Sequence, residues 1–362
     1  MNKLAISAVN LVSGGPLTVL LEVAKSFNNS PFDRVDIYTN DKSLFFGHNT
    51  QGVNLIEIKY PKKNWLYRFI FEYIDCYRIA KRNKYTHWLS LHDMSPILPK
   101  NIKQFVYCHN PSPFYKMSIS DIRLDWKMYC FTKLYKYLYR ININSNSAII
   151  VQQHWIGEQL SRLTNQVSVI VCQPSLNIKR HHLTKENRNS EKTLIVYPAL
   201  PRSFKNFEVI IEATKIINCN TQLKINVEFT ITGDENPYAK KILKQSSNLD
   251  NVKLIGNLTH EAVLQKISAS DLFIFPSKLE TWGLPITEAK YYEKPIILSN
   301  LPYAKETLGS YDNASFFEPD NPDDLASQII KCINNNYILN KITYQEPNKA
   351  ISSWSDLWCK IL

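Results

Sequence analysis

Two glutamates flank a short segment in the second half of the chain and could act on one ligand. In the stretch SKLETWGLPITEAK, 277–290, seven residues separate Glu280 from Glu288. Carboxylates accept hydrogen bonds from hydroxyl groups, so such a pair is suited to holding a sugar. The chain has 17 glutamates, and about one pair at this spacing is expected by chance, so the pair gains meaning only from its surroundings.

The residues between the two glutamates predict the start of a helix that could bind an anion. The preceding run DLFIFP is typical of a buried strand, and Pro285 suits the first turn of a helix. We expect exposed N–H groups on Leu284, Ile286 and Thr287, and Gly283 would let a ligand approach the backbone. A phosphate site beside two carboxylates matches a nucleotide sugar, which offers both a diphosphate and hydroxyls.

Short apolar runs alternate with helical patterns along the chain, which is typical of parallel α/β sheets. The alternation stops at a polar, basic stretch, 173–192, which predicts a linker, and then restarts. We therefore predict an N-terminal domain at 1–172 and a C-terminal domain at 193–346. The tail 347–362 either packs back on the first domain or caps the chain. Two such domains predict a cleft in which ligands bind.

The positive charge is concentrated in the first half of the chain. The formal net charge is +11, and residues 1–180 hold 23 Lys and Arg against 11 Asp and Glu, whereas residues 181–362 hold 20 against 21. This asymmetry indicates that the first half meets an anionic partner. No nucleic-acid-binding signature accompanies the charge, which favours an anionic membrane surface over nucleic acid.

Two predicted helices combine aromatic, apolar and basic residues, NWLYRFIFEYIDCYRIAKRNK at 64–84 and WKMYCFTKLYKYLYRIN at 126–142. They are either amphipathic core helices with solvated basic faces or surfaces that lie on an anionic membrane. The uncharged stretch 4–21 contains Asn, Ser, Gly and Pro, so a strand, a turn and a helix explain it better than a membrane span. Seven cysteines without metal-ligand spacing indicate reduced thiols in a cytosolic protein.

The stretch FPSKLETWGLPITEAKYYEKPIILSN resembles the donor-site signature of the retaining glycosyltransferases of family 4. The resemblance covers nearly the whole chain and is strongest to glycosyltransferases of bacterial O-antigen and capsule gene clusters. Further shared blocks are SAVNLVSGGPLTVL, SLHD, YCHNPSPFYK and YPALPRSFKNFE. It implies the α/β GT-B fold, two facing Rossmann-like domains with parallel sheets and an interdomain cleft.

The resemblance implies roles for residues of the second half. Glu280 would contact the donor hexose near the reacting centre, and Glu288 would hold the ribose hydroxyls. Arg202 and Lys205 would neutralise the diphosphate and stabilise charge on the leaving nucleotide. Taken by themselves, these two cations could equally be surface residues of a turn. The resemblance adds the backbone of Trp282, Gly283, Leu284, Pro285 and Ile286, which would face the sugar and phosphates.

Candidate residues of the first half follow predicted strands. Gly14 and Gly15 form either a tight turn or a loop that lets the donor diphosphate or the acceptor approach the backbone, and the resemblance favours a loop facing the cleft. His109 matches the family's active-site histidine and would hydrogen-bond the transferred sugar. Together with Glu280, Arg202 and Lys205 it completes the candidate catalytic set. Asp93 and Asn10 are candidates on the acceptor side.

The chain has no Asp-x-Asp motif, which folds that hold the diphosphate through a metal use. We therefore expect no metal dependence and no cofactor, the nucleotide diphosphate sugar being a substrate. The resemblance implies a retaining front-face mechanism in which the leaving phosphate takes the acceptor proton.

The leading hypothesis is a metal-independent hexosyltransferase that moves a hexose, glucose or rhamnose being favoured, from a nucleotide diphosphate sugar. Its acceptor would be an undecaprenyl diphosphate-linked oligosaccharide of O-antigen or surface polysaccharide synthesis. The protein would be cytoplasmic and peripheral on the inner face of the cytoplasmic membrane. The alternatives are a catalytically silent sugar-nucleotide-binding scaffold of the same fold and a sugar-nucleotide epimerase.

Overall fold

The structure is a computed structural model that describes residues 1–28, 30–174, 192–334 and 350–362. Most of the predicted linker, 175–191, lies outside the described residues, and so does the segment 335–349. The chain divides into two compact units. The first comprises Met1–Phe114, Phe131–Leu176 and Glu346–Leu362, and the second comprises Tyr115–Cys130 and Asn177–Gln345.

This division differs from the predicted domain boundaries at one place. Residues Tyr115–Cys130 group with the second unit, whereas the sequence analysis assigned them to the first domain. Local contacts explain the grouping: the Tyr115 ring lies edge-on to Phe204 with 6.1 Å between centroids, and Asp125 faces Arg202. A sequence pattern reports the type of each element but not the neighbours on which it packs.

The first unit contains a seven-stranded parallel sheet in the described part of the chain. Its order is β3-β2-β1-β4-β5-β6-β7. The central strands are buried on both faces, and for this reason they appear in the sequence as continuous apolar runs. The strands are β1 Lys3–Ala8, β2 Arg34–Thr39, β3 Asn54–Glu57, β4 His87–Ser90, β5 Lys103–Cys108, β6 Ala148–Val151 and β7 Ser168–Val171.

Over its described residues, the second unit contains a six-stranded parallel sheet, ordered β10-β9-β8-β11-β12-β13. The sequence analysis did not identify β13, a strand of four residues between polar segments. The strands are β8 Thr193–Tyr197, β9 Ile225–Phe229, β10 Val252–Leu254, β11 Leu272–Phe275, β12 Ile296–Ser299 and β13 Ala314–Phe317.

The helices cover the faces of these sheets. In chain order they are α1 Gly14–Lys25, α2 Trp65–Ile70, α3 Cys76–Asn83, α4 Ile119–Leu124, α5 Trp126–Arg140, α6 His154–Ser161, α7 Phe207–Asn220, α8 Pro237–Ser246, α9 His260–Ala269, α10 Leu284–Tyr291, α11 Pro302–Leu308, α12 Pro322–Ile333 and α13 Trp354–Ile361. One π-helical turn, Phe71–Asp75, joins α2 to α3.

The C-terminal helix α13 belongs to the core of the first unit. Trp354 and Trp358 are buried there, and the Trp358 ring stacks on Phe27 with 4.6 Å between centroids. The indole N–H of Trp358 donates a hydrogen bond to the Ser26 hydroxyl at 2.8 Å. Segments from the two ends of the chain are thus joined in one hydrophobic core.

Each sheet has one point at which the strand order reverses direction. In the first sheet it lies between β1 and β4, and in the second between β8 and β11. Loops that leave neighbouring strands in opposite directions open a crevice at such a point, and ligands of α/β sheets bind there. The two reversal points are therefore the places in each unit where a ligand site is expected.

Candidate functional site

In the second unit, Lys205 and Glu280 meet at the reversal point of the sheet. Lys205 lies in a short turn after β8, and Glu280 lies in the loop after β11. Their side chains form an ion pair, and the exposed fraction is 17% for the Lys205 side chain and 14% for the Glu280 side chain. The Lys205 ammonium also lies 5.6 Å from the ring centroids of Phe204 and Phe275. A cation held between aromatic rings and a carboxylate is well placed to meet a phosphate.

Two hydrogen bonds to backbone carbonyls hold the turn after β8 and the loop after β11 in place. The Lys278 N–H donates to the Phe204 carbonyl at 2.7 Å, which ties the loop after β11 to the turn after β8. The Tyr197 hydroxyl donates to the Lys205 carbonyl at 2.8 Å. The ammonium and the carboxylate are therefore positioned by the scaffold of the sheet.

Arg202, the second predicted cation, has a different partner. Its side chain is 55% exposed, and its guanidinium lies 3.7 Å from Asp125. The sequence placed Arg202 and Lys205 in one basic pair, but the Arg202 guanidinium faces Asp125, and what joins the two residues is a backbone hydrogen bond from the Lys205 N–H to the Arg202 carbonyl at 2.9 Å. Surface ion pairs are weak, so the guanidinium can leave Asp125 for an anionic ligand at little cost in ion-pair free energy.

The helix start between the two glutamates has the backbone that was predicted, but fewer free donors. Gly283 has a φ of 78°, and a Cβ atom there would lie 3.0 Å from Ile286 Cδ1, so only glycine fits without a shift. The Ile286 N–H donates to the Gly283 carbonyl at 2.9 Å, and its predicted exposure is wrong. The Trp282 ring is buried, and its N–H donates to the Thr287 hydroxyl at 3.1 Å.

Glu288 lies deeper than Glu280 and has its own partner. It is 6% exposed, and one of its oxygens lies 2.8 Å from His260 Nε2. The hydrogen bond to Glu288 raises the pKa of His260 against an opposing effect of burial. Sequence analysis missed His260, because the two residues are 28 positions apart and no local spacing relates them.

In the first unit, Asp93 and His109 come together at the ends of β4 and β5. Asp93 is 5% exposed, with a φ of 69°, and lies 3.8 Å from His109 Nε2. Its carboxylate accepts the backbone N–H groups of His109 and Asn110 at 2.7 and 3.0 Å and the hydroxyls of Tyr135 and Tyr139. With these partners Asp93 fixes the loop that carries His109. His109 Nδ1 is buried and has no hydrogen-bond partner among the described residues.

Gly14, Gly15 and Asn10 follow β1. Both glycines are exposed, and a Cβ atom on Gly15 would meet nothing within 4 Å. Gly14 starts α1 with a φ of 64°, which favours glycine. Asn10 is exposed and lines a cavity of about 190 Å³ together with Arg68. Asn10 therefore lies in the wall of the same cavity as Arg68, a residue that the sequence analysis did not single out.

The described ranges contain no group of three or more His, Cys, Asp and Glu side chains arranged to hold a metal ion. No helix in them combines the length and the apolar composition that crossing a bilayer requires.

The chain resembles known glycosyltransferases. Residues 178–349, just under half of the chain, match the family model described as Glycosyl transferases group 1, so most of the second unit carries the sequence pattern of that domain. An uncharacterized glycosyltransferase of Methanocaldococcus jannaschii is 23% identical over 201 residues, 55% of this chain and 53% of the relative. The chain thus spans about half the length of this curated relative.

Two solved structures resemble the whole chain. Sucrose-phosphate synthase of Thermosynechococcus elongatus has a TM-score of 0.74 at 13% identity and covers 100% of this chain and 97% of its own. Anabaena HepE in complex with UDP and glucose has a TM-score of 0.65 at 15% identity and covers 99% and 95%. The fold is therefore of the GT-B class, α/β with two Rossmann-like domains and all-parallel sheets of seven and six strands.

Proposed function

We propose that this protein is a retaining, metal-independent hexosyltransferase of family 4. It would move a hexose, glucose or rhamnose, from a nucleotide diphosphate sugar to a lipid-linked oligosaccharide in O-antigen or surface polysaccharide synthesis. The observation that carries the proposal is the Lys205–Glu280 ion pair at the reversal point of the second sheet. It lies within the region that matches the glycosyl transferases group 1 model.

The donor would bind the second unit through charge and hydrogen bonding. A diphosphate would compete with Glu280 for the Lys205 ammonium, while Arg202, which is more than half exposed, could turn towards the phosphates. Glu280, once released, would accept hydrogen bonds from hexose hydroxyls, and Glu288 would accept those of the ribose. The UDP and glucose bound in HepE support a nucleotide-sugar donor.

The proposed mechanism uses no protein nucleophile. In the front-face mechanism, the bond between the anomeric carbon and the diphosphate breaks, and the acceptor oxygen bonds to the same face of that carbon. The leaving phosphate takes the acceptor proton. Lys205 and Arg202 would stabilise the charge on the leaving diphosphate, which supplies the electrostatic help that other folds obtain from a metal. His109 would hydrogen-bond the transferred sugar.

The exposed surface of the first unit supports an acceptor at an anionic membrane. Helix α2 exposes Trp65 and Leu66, and α5 exposes Leu134 and Tyr137. Exposed basic residues accompany them: Lys62 and Lys63 directly precede α2, and Lys136 and Arg140 lie on α5. Aromatic and basic side chains together suit the boundary of an anionic bilayer. We therefore propose that the protein is peripheral on the cytoplasmic face of the membrane, where a lipid-linked acceptor is presented.

The first experiment is calorimetry of the full chain with UDP, dTDP and GDP, each with and without EDTA. We expect micromolar, EDTA-insensitive binding of one nucleotide and a loss of at least about tenfold in Lys205→Ala. Lys215→Ala is the matched control, because Lys215 also pairs with a glutamate, Glu212 at 2.8 Å, but on the surface of α7. Binding that EDTA abolishes, or that both variants weaken equally, would contradict the proposal.

Product analysis with the matching nucleotide sugar then separates the alternatives. Sugar transfer to a lipid-linked acceptor is the expected result. Isomerised or hydrolysed donor without an acceptor product would identify an epimerase, and bound but unconverted donor would identify a silent scaffold.

A further inference from the structure

The first unit has a cavity of about 190 Å³ at the reversal point of its own sheet. Asn10 follows β1 and Met94 follows β4, the two strands between which the strand order reverses. The volume corresponds to roughly six water molecules, enough for a phosphate or diphosphate group. The cavity is lined by Asn10, Pro61, Lys62, Asn64, Trp65, Arg68, Met94 and Tyr135.

Arg68 is the buried cation of this cavity. It is 5% exposed, and its Nη1 has no hydrogen-bond partner among the described residues. Its Nε lies 3.0 Å from Glu72 Oε1, but the two groups are not aligned for a hydrogen bond. Buried donors are nearly always satisfied, because an unpaired one costs free energy comparable to a lost hydrogen bond. Arg68 therefore brings to the cavity wall a buried positive charge whose hydrogen bonds are only partly used, which favours an anionic ligand.

The remaining lining has the same preference for negative charge. Lys62 adds a second cation, and its side chain is exposed at the edge of the cavity. Among the described residues, no Asp or Glu lines the cavity. The Asn64 side-chain oxygen accepts the Tyr67 N–H at 3.0 Å, which leaves the amide group of Asn64 as a further donor. Two cations and two asparagines without a carboxylate in the lining are suited to an oxyanion.

The edge of the cavity is aromatic and exposed. The Trp65 ring lies edge-on to Tyr135 with 6.4 Å between centroids and is about half exposed. Leu66, next to it, is 66% exposed. A ligand that places its anion on Arg68 would thus have an apolar surface beside it for an attached chain.

We propose that this cavity binds a phosphate or diphosphate group on the acceptor side, with Arg68 and Lys62 as its cations and Trp65 at its apolar edge. The carrier of that group rests on the proposed function, in which the acceptor is linked to a lipid diphosphate. The anion site itself rests on the cavity, the buried charge of Arg68 with its unused Nη1 donor, and a lining of described residues that includes no carboxylate.

The test uses the full chain labelled with 5-fluorotryptophan and observed by fluorine NMR. Trp65→Phe identifies the resonance of Trp65, which reports on this cavity and not on the second unit. Inorganic pyrophosphate is the probe, and we expect a saturable shift of the Trp65 resonance. Lys62→Ala should weaken the apparent affinity by about tenfold, the effect of losing one charge-assisted contact. Lys63→Ala is the matched control, since Lys63 is equally exposed but does not line the cavity.

Arg68 is tested in the double variant Arg68→Gln/Glu72→Gln, which removes both buried charges and leaves neither unpaired. Its circular dichroism establishes folding, and it should lose the pyrophosphate shift. If it does not fold, Lys62→Ala alone decides, because Lys62 is at the surface. A Trp65 resonance that does not move with millimolar pyrophosphate, or that moves equally in Lys62→Ala and Lys63→Ala, would overturn the proposal.

Two further arms distinguish the source of the anion. Farnesyl diphosphate should bind more tightly than pyrophosphate, because its chain would contact the apolar edge. A Trp65 shift with phosphatidylglycerol vesicles but not with pyrophosphate would overturn the proposal in favour of a membrane contact. None of these measurements needs a sugar nucleotide, so a failure of the proposed transferase activity would leave this result intact and identifiable.

Discussion

Lys205 and Glu280 form an ion pair at the carboxyl ends of β8 and β11, although 75 positions separate them in the sequence. Both side chains are largely but not completely buried, with 17% and 14% of their exposure left. An ion pair with that remaining access can exchange partners when an anion arrives, whereas a fully enclosed pair would have to be broken without solvent.

Replacing Glu280 should separate binding from turnover. Glu280→Ala is expected to lower kcat by about 10²–10³-fold through the loss of contacts to the reacting sugar. Binding of the nucleoside diphosphate should stay equal or become tighter, because the Lys205 ammonium loses its competing carboxylate. Steady-state kinetics and calorimetry measure the two effects, with Glu212→Ala as the control. A nucleotide affinity that falls as far as kcat would show that Glu280 holds the nucleotide instead.

Replacing Glu288 should act on binding. Glu288→Ala is expected to weaken the affinity for the nucleoside diphosphate by about tenfold, because the ribose hydroxyls lose a charged hydrogen-bond acceptor. Calorimetry with pyrophosphate in the Lys62→Ala background, in which binding to the cavity of the first unit is weakened, provides the internal comparison, since that ligand has no ribose and its affinity should not change. Equal losses for both ligands would mean that the substitution disturbs the helix start and not a ribose contact.

His260 should titrate above its ordinary pKa. The hydrogen bond to Glu288 raises the pKa of the imidazole above 6.5, in opposition to burial. A raised pKa in the folded protein means that this pair stabilises fully below pH 6.5 and that the contribution is lost as pH rises through the raised value. NMR of the imidazole protons measures the shift, which should fall in Glu288→Gln. A His260 pKa at or below 6.5 in the native protein would contradict the contact.

Glu72 should make stability depend on pH in the opposite sense from an ordinary surface carboxylate. Burial raises the pKa of its carboxyl to about 7, and the Arg68 guanidinium opposes that rise. The contribution of the protonated form is complete below pH 4.5 and is lost as pH rises through about 7. The groups that face the carboxyl are Arg68 Nε at 3.0 Å, His92 Nε2 at 3.3 Å and Cys76 Sγ at 4.0 Å.

Urea unfolding of the native protein and Glu72→Gln across this pH range is the measurement. The free energy of unfolding of the native protein should fall relative to that of the variant as pH rises from 4.5 to about 7. If the free energy of unfolding depends on pH in the same way for both proteins, the pKa of the Glu72 carboxyl is not raised.

Replacing Gly283 by alanine should destabilise the protein more than the same change at Gly15. Gly283→Ala is expected to lower the free energy of unfolding by about 1–3 kcal/mol, because it combines a positive φ with a close approach to Ile286. Gly15→Ala should change it by less than about 0.5 kcal/mol, since Gly15 has open space around it. Thermal unfolding of both variants measures the difference. Similar losses in the two would contradict the strain assigned to Gly283.

Much of the fold could be predicted from local patterns. Continuous apolar runs such as KQFVYC indicated buried parallel strands, and the Pro near the start of α10 indicated where that helix begins. Two α/β domains followed from the length and from the interruption of the alternation. The sequence analysis did not identify β13 and α11, which are four and seven residues long. Such short elements carry too little periodicity to be recognised.

The candidate site divides in the same way. The sequence by itself determined which residues could carry chemistry, such as Glu280, Glu288 and Lys205, because their types and local context are written in one short stretch each. Only the tertiary structure decided their partners, which are Lys205 for Glu280 and His260 for Glu288. It also placed Arg68, which the sequence did not single out, in the wall of a cavity. The physical reason is that strand order brings together loops that are distant in sequence, and the charge and burial of a side chain depend on that order.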